Sequence, residues 1–304
     1  QRNIAVIGAG IVGVSCALHL QQVGFNVTLF DRDEPGSGAT YGNACTFALY
    51  GSIPVNQPEL IWRFPSLMFG RERPLSIAWR YMPQMVPWLI QFLKHCRREH
   101  VDRTINGLGS LLRGAEDASM VLFRASGGDD LISRDGTIYI YPTSESFAAD
   151  TVNRKRRLTQ GAQIQELTAT DLQDLEPNLA PIFPHAVLYP NGFTILDPKQ
   201  MTSRMVDHLC HTGGQFIKGE VSAVDAQSAD GVAFKVNDSR HHYDQAVLAG
   251  GAWSMQIAKG GCEELPLDTE RGYHVQFSES AELLNRPVGF ADAGFYMTPM
   301  YQGL

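Results

Sequence analysis

The chain has few cysteines for its 304 residues, and none lie in a paired motif. The five are Cys16, Cys45, Cys96, Cys210 and Cys262, with no C-x-x-C spacing, so a zinc or iron–sulfur reading has no support. An odd number of scattered thiols suits a reducing compartment. Positive charge is also short: 25 Lys and Arg face 32 Asp and Glu, a net charge of −7. That argues against a nucleic-acid binder relying on bulk positive charge. No apolar run approaches the length of a membrane span. The first apolar run reads as an early strand rather than a signal peptide. No internal repeat and no low-complexity run is visible. One N-x-S triplet, at Asn237, stands without any other sign of secretion.

What remains is an ordinary globular mixture, 44% hydrophobic and 19% charged, which excludes disordered, collagen-like and disulfide-scaffold proteins. The length suggests about two domains. The 29 glycines point to many tight turns or close backbone approaches.

The strongest signal is at the N-terminus. Ile4-Ala5-Val6-Ile7 reads as a strand and leads into Gly8-Ala9-Gly10-Ile11-Val12-Gly13. A helical pattern follows, with Val14, Ala17, Leu18 and Val23 apolar, and stops at Gly24. Val27 to Phe30 reads as a second strand ending at Asp31. Strand, G-x-G-x-x-G, helix, strand and acid form the dinucleotide-binding fingerprint. Gly8 would permit the tight turn, Gly10 the approach of a pyrophosphate, and Gly13 the packing of helix on strand. The helix N-terminus offers free N–H groups to phosphates. Asp31 is suited to accept both ribose hydroxyls, which disfavours a 2′-phosphate. The next segment, Arg32 to Phe47, is loop-like; a nicotinamide dehydrogenase would be expected to carry a third βα unit there.

At this point the chain resembles the D-amino acid oxidase-like FAD-dependent oxidoreductase superfamily. Within it, the nearest look is to bacterial D-amino acid dehydrogenases. Thr40-Tyr41-Gly42-Asn43-Ala44 resembles the family segment that runs past the flavin, with Cys45 standing where Gly is usual. Gly219-Glu220-Val221 resembles the strand whose Val backbone meets the adenine. Val247 to Ser254, containing Gly250, Gly251 and Trp253, resembles the second FAD strand and turn. Glu270 to His274 and Tyr296 to Met300 resemble two strands of the substrate sheet.

The resemblance implies an α/β fold (α+β overall). A Rossmann-like FAD domain (residues 1–55, 145–180 and 195–258) would be interleaved with a substrate domain on a mixed sheet (residues 56–144, 181–194 and 259–304). The family continues for roughly another domain's worth of flavin contacts. A C-terminal FAD-contacting part, with an Arg-bearing strand and a Gly-rich helix start, is therefore expected outside this chain. The implied cofactor is FAD, held by Gly8, Ala9, Gly10, Ile11, Val12, Gly13, Asp31, Arg32, Thr40, Gly42, Asn43, Ala44, Cys45, Val221, Gly250, Gly251 and Trp253.

The implied reaction is oxidative deamination of a D-amino acid. The Cα hydrogen leaves as hydride to flavin N5, giving a 2-oxo acid and ammonia, and the electrons pass to a quinone, oxygen or another acceptor. Oxidation of a secondary or N-methyl amine such as sarcosine, glycine or hydroxyproline is the nearest alternative. A nicotinamide-dependent dehydrogenase and a non-catalytic nucleotide-binding fragment are the others. Such an enzyme needs a cation for the carboxylate, an orienting wall and a proton route. Arg271 suits the first, through a bidentate guanidinium–carboxylate pair; a salt bridge to Glu270 or Asp268 is the competing role. Tyr273 and Tyr296 are hydroxyl donors or half-buried sheet aromatics. His274 is a proton shuttle or a surface histidine. Cys45 is expected to pack rather than to attach flavin.

Elsewhere, residues 56–100 mix Trp and Arg and are cut into short pieces by prolines at 65, 74, 83 and 87. They read either as a helical cover over the substrate pocket or as a peripheral membrane contact of an otherwise cytoplasmic protein. Thr104 to Arg124 reads as one helix, with Ile105, Leu108, Leu111, Leu112 and Ala115 on one face. Leu131 to Tyr141 reads as strand–turn–strand through Asp135-Gly136. Asp197-Pro198 opens a helix closed by Gly213-Gly214. His241-His242 is read as a turn, and Arg154 to Arg157 as a solvated helix face.

Overall fold

The computed structural model describes residues 1–61, 79–228, 231–258, 267, 269 and 271–304. Among the described residues the fold rests on four sheets. The first is wholly parallel, in the order β13 (Gln245–Leu248), β1 (Asn3–Ile7), β2 (Asn26–Asp31), β9 (Gln215–Lys218). Its strands are apolar runs because both faces are covered. Ala5, Ile7 and Phe30 pack against the antiparallel sheet β10 (Val221–Ser228), β11 (Gly231–Val236), β12 (Ser239–Tyr243). Val6, Val27 and Leu29 pack against the helices Ile11–Gln22 and Pro198–His211. The second of these helices starts as its sequence indicates: the Asp197 carboxylate accepts from the Gln200 amide at 2.8 Å, with Pro198 at the first position.

The third sheet is mixed, in the order β15 (Phe295–Met297), β14 (Val288–Phe290), β5 (Thr137–Tyr141), β7 (His185–Tyr189), β6 (Gln165–Thr168). Strand alternation gives it two unlike faces. Ile138, Ile140, Leu167, Ala186, Leu188 and Val288 form an aliphatic face over Leu172 and Phe183. Tyr139, Tyr141 and Tyr189 form a tyrosine face covered by Tyr50 and Phe147. A small sheet, β3 (Thr46–Phe47), β8 (Phe193–Ile195), β4 (Ile132–Ser133), joins the two halves.

Several sequence expectations are corrected here. Residues 145–180 were assigned to the nucleotide half, yet β6 is the edge strand of the mixed sheet, drawn there by burial of Leu167. Residues 56–144 were assigned to the substrate half, yet Met120, Leu122, Phe123 and Leu131 pack in the nucleotide core. The single helix expected over 104–124 is two, Arg98–Leu112 and Ala115–Ala125, with Gly114 at the break. Leu111, placed on the apolar face, is exposed. Val23 lies just past its helix and is also exposed. The Asp135-Gly136 turn is present, with Gly136 at φ +76°, but its two strands enter different sheets rather than a hairpin. His241 and His242 lie on β12, where His241 stacks on Phe234.

Candidate functional site

In an open parallel sheet, ligands bind beyond the carboxyl ends of the strands. The loops at that edge are 8–13 after β1, 31–33 after β2, 219–220 after β9 and 249–253 after β13. They carry nearly all the residues expected to hold the adenosine half of a dinucleotide.

The glycines separate by function. Gly8 has φ +115°, and a Cβ there would lie 2.3 Å from the Ala249 carbonyl oxygen. A Cβ on Gly13 would lie 1.8 Å from the Gly8 carbonyl oxygen. These two glycines let the loop turn and the helix sit against it. Gly10 is different: the nearest atom to its missing side chain is Thr40 Oγ1, at 3.4 Å. It caps the helix with no side chain of its own, beside an exposed Val12. The first-turn amides of Val12 and Gly13 have no intrahelical acceptor. This open, backbone-lined cradle fits a pyrophosphate.

Asp31 sits directly under the loop. Its Oδ2 accepts from the Ala9 amide at 2.6 Å and its Oδ1 from the Asp33 amide at 2.9 Å. Each carboxylate oxygen has further lone-pair capacity for a ribose hydroxyl. The Asp31 carbonyl accepts from Gly219 N at 2.7 Å, which brings the Gly219–Val221 segment alongside. Arg32 lies over the Trp253 ring, 4.4 Å from its centroid. Gly250 and Gly251 make the turn that carries Trp253 there.

The loop 40–45 is the hub of the second half of the site. Thr40 Oγ1 accepts from the Ile11 amide at 3.0 Å, tying this loop to the glycine loop. Asn43 folds the loop on itself, donating to the carbonyls of Ala39 and Thr40 and accepting from the Cys45 amide at 2.7 Å. Cys45 adopts φ +54°, the region glycine favours. A buried cysteine thus holds a conformation that glycine favours. Burial, and secondarily the nearby Asp197, push its thiol pKa up to about 12.

Two distant segments converge on this hub. The His274 ring lies on Gly42: a Cβ there would meet His274 Cε1 within 2.4 Å. His274 also meets Tyr41 edge to face at 5.8 Å. The Thr298 hydroxyl donates to the Ala44 carbonyl at 3.1 Å. Tyr296, two residues earlier, stands against Tyr139 with ring centroids 5.5 Å apart. Arg271 and Tyr273 are not gathered in. Both point to solvent, Tyr273 at 91% exposure. Glu270 and Asp268, the alternative partners of Arg271, lie outside the described residues.

Sequence reasoning missed the polar wall behind Tyr296. Arg154, read as solvated, is 5% exposed; it donates to the Phe147 carbonyl at 2.6 Å and lies 3.9 Å from the Phe147 ring centroid. Arg157 donates to the Tyr189 hydroxyl at 3.0 Å and pairs with Asp150 at 3.4 Å. Asp150 also accepts from the Tyr141 hydroxyl at 2.7 Å. Burial pushes the phenols of Tyr50, Tyr139 and Tyr141 up, and that of Tyr189 up to about 12. The alternation in Thr137-Ile138-Tyr139-Ile140-Tyr141 was the available signal for this wall. Of residues 56–100, 62–78 lie outside the described residues. The helix Met82–His95 has no buried residue, and Trp79 and Trp88 are 63% and 49% exposed. Among the described residues, no helix is long and apolar enough to cross a membrane, and no group of three His, Cys, Asp or Glu is arranged to hold a metal.

A glycine-turned helix start under a parallel sheet, with an acid at the end of the second strand, defines a dinucleotide-binding protein of the Rossmann class. The chain belongs to the FAD dependent oxidoreductase (DAO) family, whose model matches residues 3–304. FAD is that family's cofactor. A D-amino-acid oxidase of Bradyrhizobium diazoefficiens is 32% identical over 277 residues, covering 90% of this chain and 66% of that protein. A D-amino acid dehydrogenase of Helicobacter pylori is 23% identical over 305 residues, covering 98% of this chain and 72% of that protein. The chain thus spans about two thirds of the length of these relatives. Glycine oxidase from Bacillus cereus shares the fold with a TM-score of 0.63 at 18% identity, over 100% of this chain and 69% of that one. L-proline dehydrogenase from P. horikoshii does so with a TM-score of 0.62 at 18% identity, over 100% and 68%.

Proposed function

We propose that the protein is an FAD-dependent enzyme that oxidatively deaminates a D-amino acid to a 2-oxo acid and ammonia, passing the electrons to a quinone or another acceptor. The observation that carries this reading is the meeting of four segments at one hub. The glycine loop, residues 40–45, His274 and the Tyr296–Thr298 strand end are joined by Ile11–Thr40, Gly42–His274 and Ala44–Thr298 contacts. Cofactor cradle and substrate-side residues are therefore continuous. The activities by which the two relatives are named support the substrate class.

When bound, FAD would supply the two-electron redox chemistry. The chain's own residues bind and orient. The open backbone at Gly10 would hold the pyrophosphate, Asp31 the ribose, and Arg32, Val221 and Trp253 the adenine. The Asn43-braced loop would hold the flavin end. His274 would take the amine proton, since the nitrogen must be neutral to donate its lone pair. The Tyr296 hydroxyl would donate to the substrate carboxylate, while Arg271, exposed and away from this hub, is not brought to it. The exposed Trp79 and Trp88, flanked by Arg80 and Lys94, suit peripheral contact with an anionic membrane; liposome flotation tests it, and absence of co-flotation removes it.

The test of the main reading is the visible spectrum of the FAD-loaded protein without oxygen. Bleaching by D-amino acids supports it. Bleaching by sarcosine, glycine or hydroxyproline alone moves the assignment to secondary or N-methyl amines. A flavin band that no amine bleaches refutes it.

A further inference from the structure

Gly289 occupies the middle of a three-residue row across the mixed sheet. It is the antiparallel partner of Tyr296 on β15 and the parallel partner of Tyr139 on β5. Directly opposed residues in a sheet project to the same face, so two tyrosines flank a position with no side chain. Their rings close over the gap. A Cβ on Gly289 would lie 2.9 Å from Cε1 and 3.2 Å from Cδ1 of Tyr296, and 3.3 Å from Cδ1 of Tyr139. The two rings meet edge to face at 82° above the glycine.

The partners differ in freedom. Tyr139 is wedged between Tyr50 and Tyr189, at 5.8 and 5.5 Å, with the Arg157 guanidinium 6.0 Å from its ring centroid. It cannot retreat without disturbing that buried cluster. Tyr296 is 38% exposed and has solvent on its outer side. Any atom added at 289 would therefore push the Tyr296 ring outward.

We infer that Gly289 is a positioning residue: its missing side chain lets the Tyr296 phenol lie inward against Tyr139, and so fixes where that hydroxyl stands. The inference rests on the reading of Tyr296 as a substrate-touching residue. Gly289 makes no polar contact with substrate through a side chain, and its effect runs wholly through the tyrosine. The geometry also separates it from an ordinary strand glycine, which weakens a strand and gives nothing back.

The experiment compares Gly289→Ala, Tyr296→Phe and the double variant in the FAD-loaded protein, with D-alanine as substrate. Alanine suits a strand better than glycine and the displaced ring has somewhere to go, so Gly289→Ala folds. Loss of one hydrogen bond to a carboxylate corresponds to about a ten- to hundredfold rise in KM. Both single variants are expected to show it, with kcat changed by less than about twofold. The double variant is expected to be no worse than Tyr296→Phe alone, because the hydroxyl is already gone. Near-UV circular dichroism of Gly289→Ala should lose the tyrosine signal of the Tyr139–Tyr296 contact, independently of turnover. If Tyr296→Phe raises KM and Gly289→Ala leaves it unchanged, the inference is overturned while the reading of Tyr296 stands. Equal KM values in Tyr296→Phe and the unaltered protein overturn both. Additive effects in the double variant also overturn the inference, since Gly289 would then act by another route.

Discussion

Replacing Gly10 and Gly13 one at a time by alanine separates cofactor recognition from fold integrity. The two residues are three positions apart in one motif, yet their surroundings differ sharply. At Gly13 the new Cβ would sit 1.8 Å from the Gly8 carbonyl oxygen. Restoring a contact of about 3.5 Å moves the helix start by more than 1 Å. Overpacking of this kind costs about 1–3 kcal/mol. At Gly10 the new Cβ meets only Thr40 Oγ1, at 3.4 Å, and the backbone there has φ −73°, which alanine adopts freely. Exchanging Gly for Ala at a helix N-cap costs well under about 1 kcal/mol. The same methyl, however, projects into the cradle where the pyrophosphate must approach. Losing one or two charge-assisted hydrogen bonds there, at about 1.5–3 kcal/mol each, weakens FAD binding by at least about tenfold. The assay is paired: thermal unfolding of the cofactor-free protein, and FAD titration followed by flavin fluorescence. Gly13→Ala should lower the unfolding temperature. Gly10→Ala should leave it nearly unchanged and still lose FAD affinity. Gly10→Ala binding FAD as tightly as the unaltered protein would refute the assignment of the cradle.

Two further outcomes are expected. The buried Cys45 thiol, with its pKa raised to about 12, should resist alkylation at pH 8 in the folded protein while the exposed Cys210 reacts. Because folding raises this pKa, its contribution to stability is full below the unfolded value of about 8.5 and declines as pH rises from there toward 12. Peptide mapping after iodoacetamide checks the first, and Cys45 labelled as fast as Cys210 would contradict it. Arg157→Met should destabilise the protein by about 1–3 kcal/mol, because Asp150 loses its nearer cation, keeping only Arg154 at 3.9 Å and the Tyr141 hydroxyl, and Tyr189 loses its donor. Urea unfolding measures this, and Asp150→Asn in the same background should recover part of the loss.

The legible parts of the sequence were those whose partners lie close in the chain. Strand, glycine loop, helix and acid occupy residues 3–31, and each step constrains the next. The helix at Pro198 announces itself through its own cap and stop residues. What was missed depended on remote pairing. Ile132-Ser133 and Thr137–Tyr141 look like a hairpin, but each strand finds its partner more than 40 residues on, at Phe193–Ile195 or His185–Tyr189. Arg154 and Arg157 look like a solvated face until the preceding short helix lays Phe147, and two strands lay Glu166 and Tyr189, around them. His241 reads as a turn residue until Phe30 and Phe234 enclose it. The convergence of His274 and Thr298 on residues 42–44 has no local signature at all.

The order of the parallel sheet sets a timetable for synthesis. β1 has β2 on one side almost as soon as it is made, but its other neighbour begins only at Gln245. At roughly 5–20 residues per second, a ribosome takes on the order of 10–50 s to reach that strand. Through that interval one edge of an almost wholly apolar strand lacks its permanent partner, a state that invites pairing with other chains. The Ala249 carbonyl against which Gly8 packs, and Trp253 beside Arg32, arrive in the same late stretch. The cradle is therefore completed late, and cofactor supply acts on the last steps of folding rather than the first.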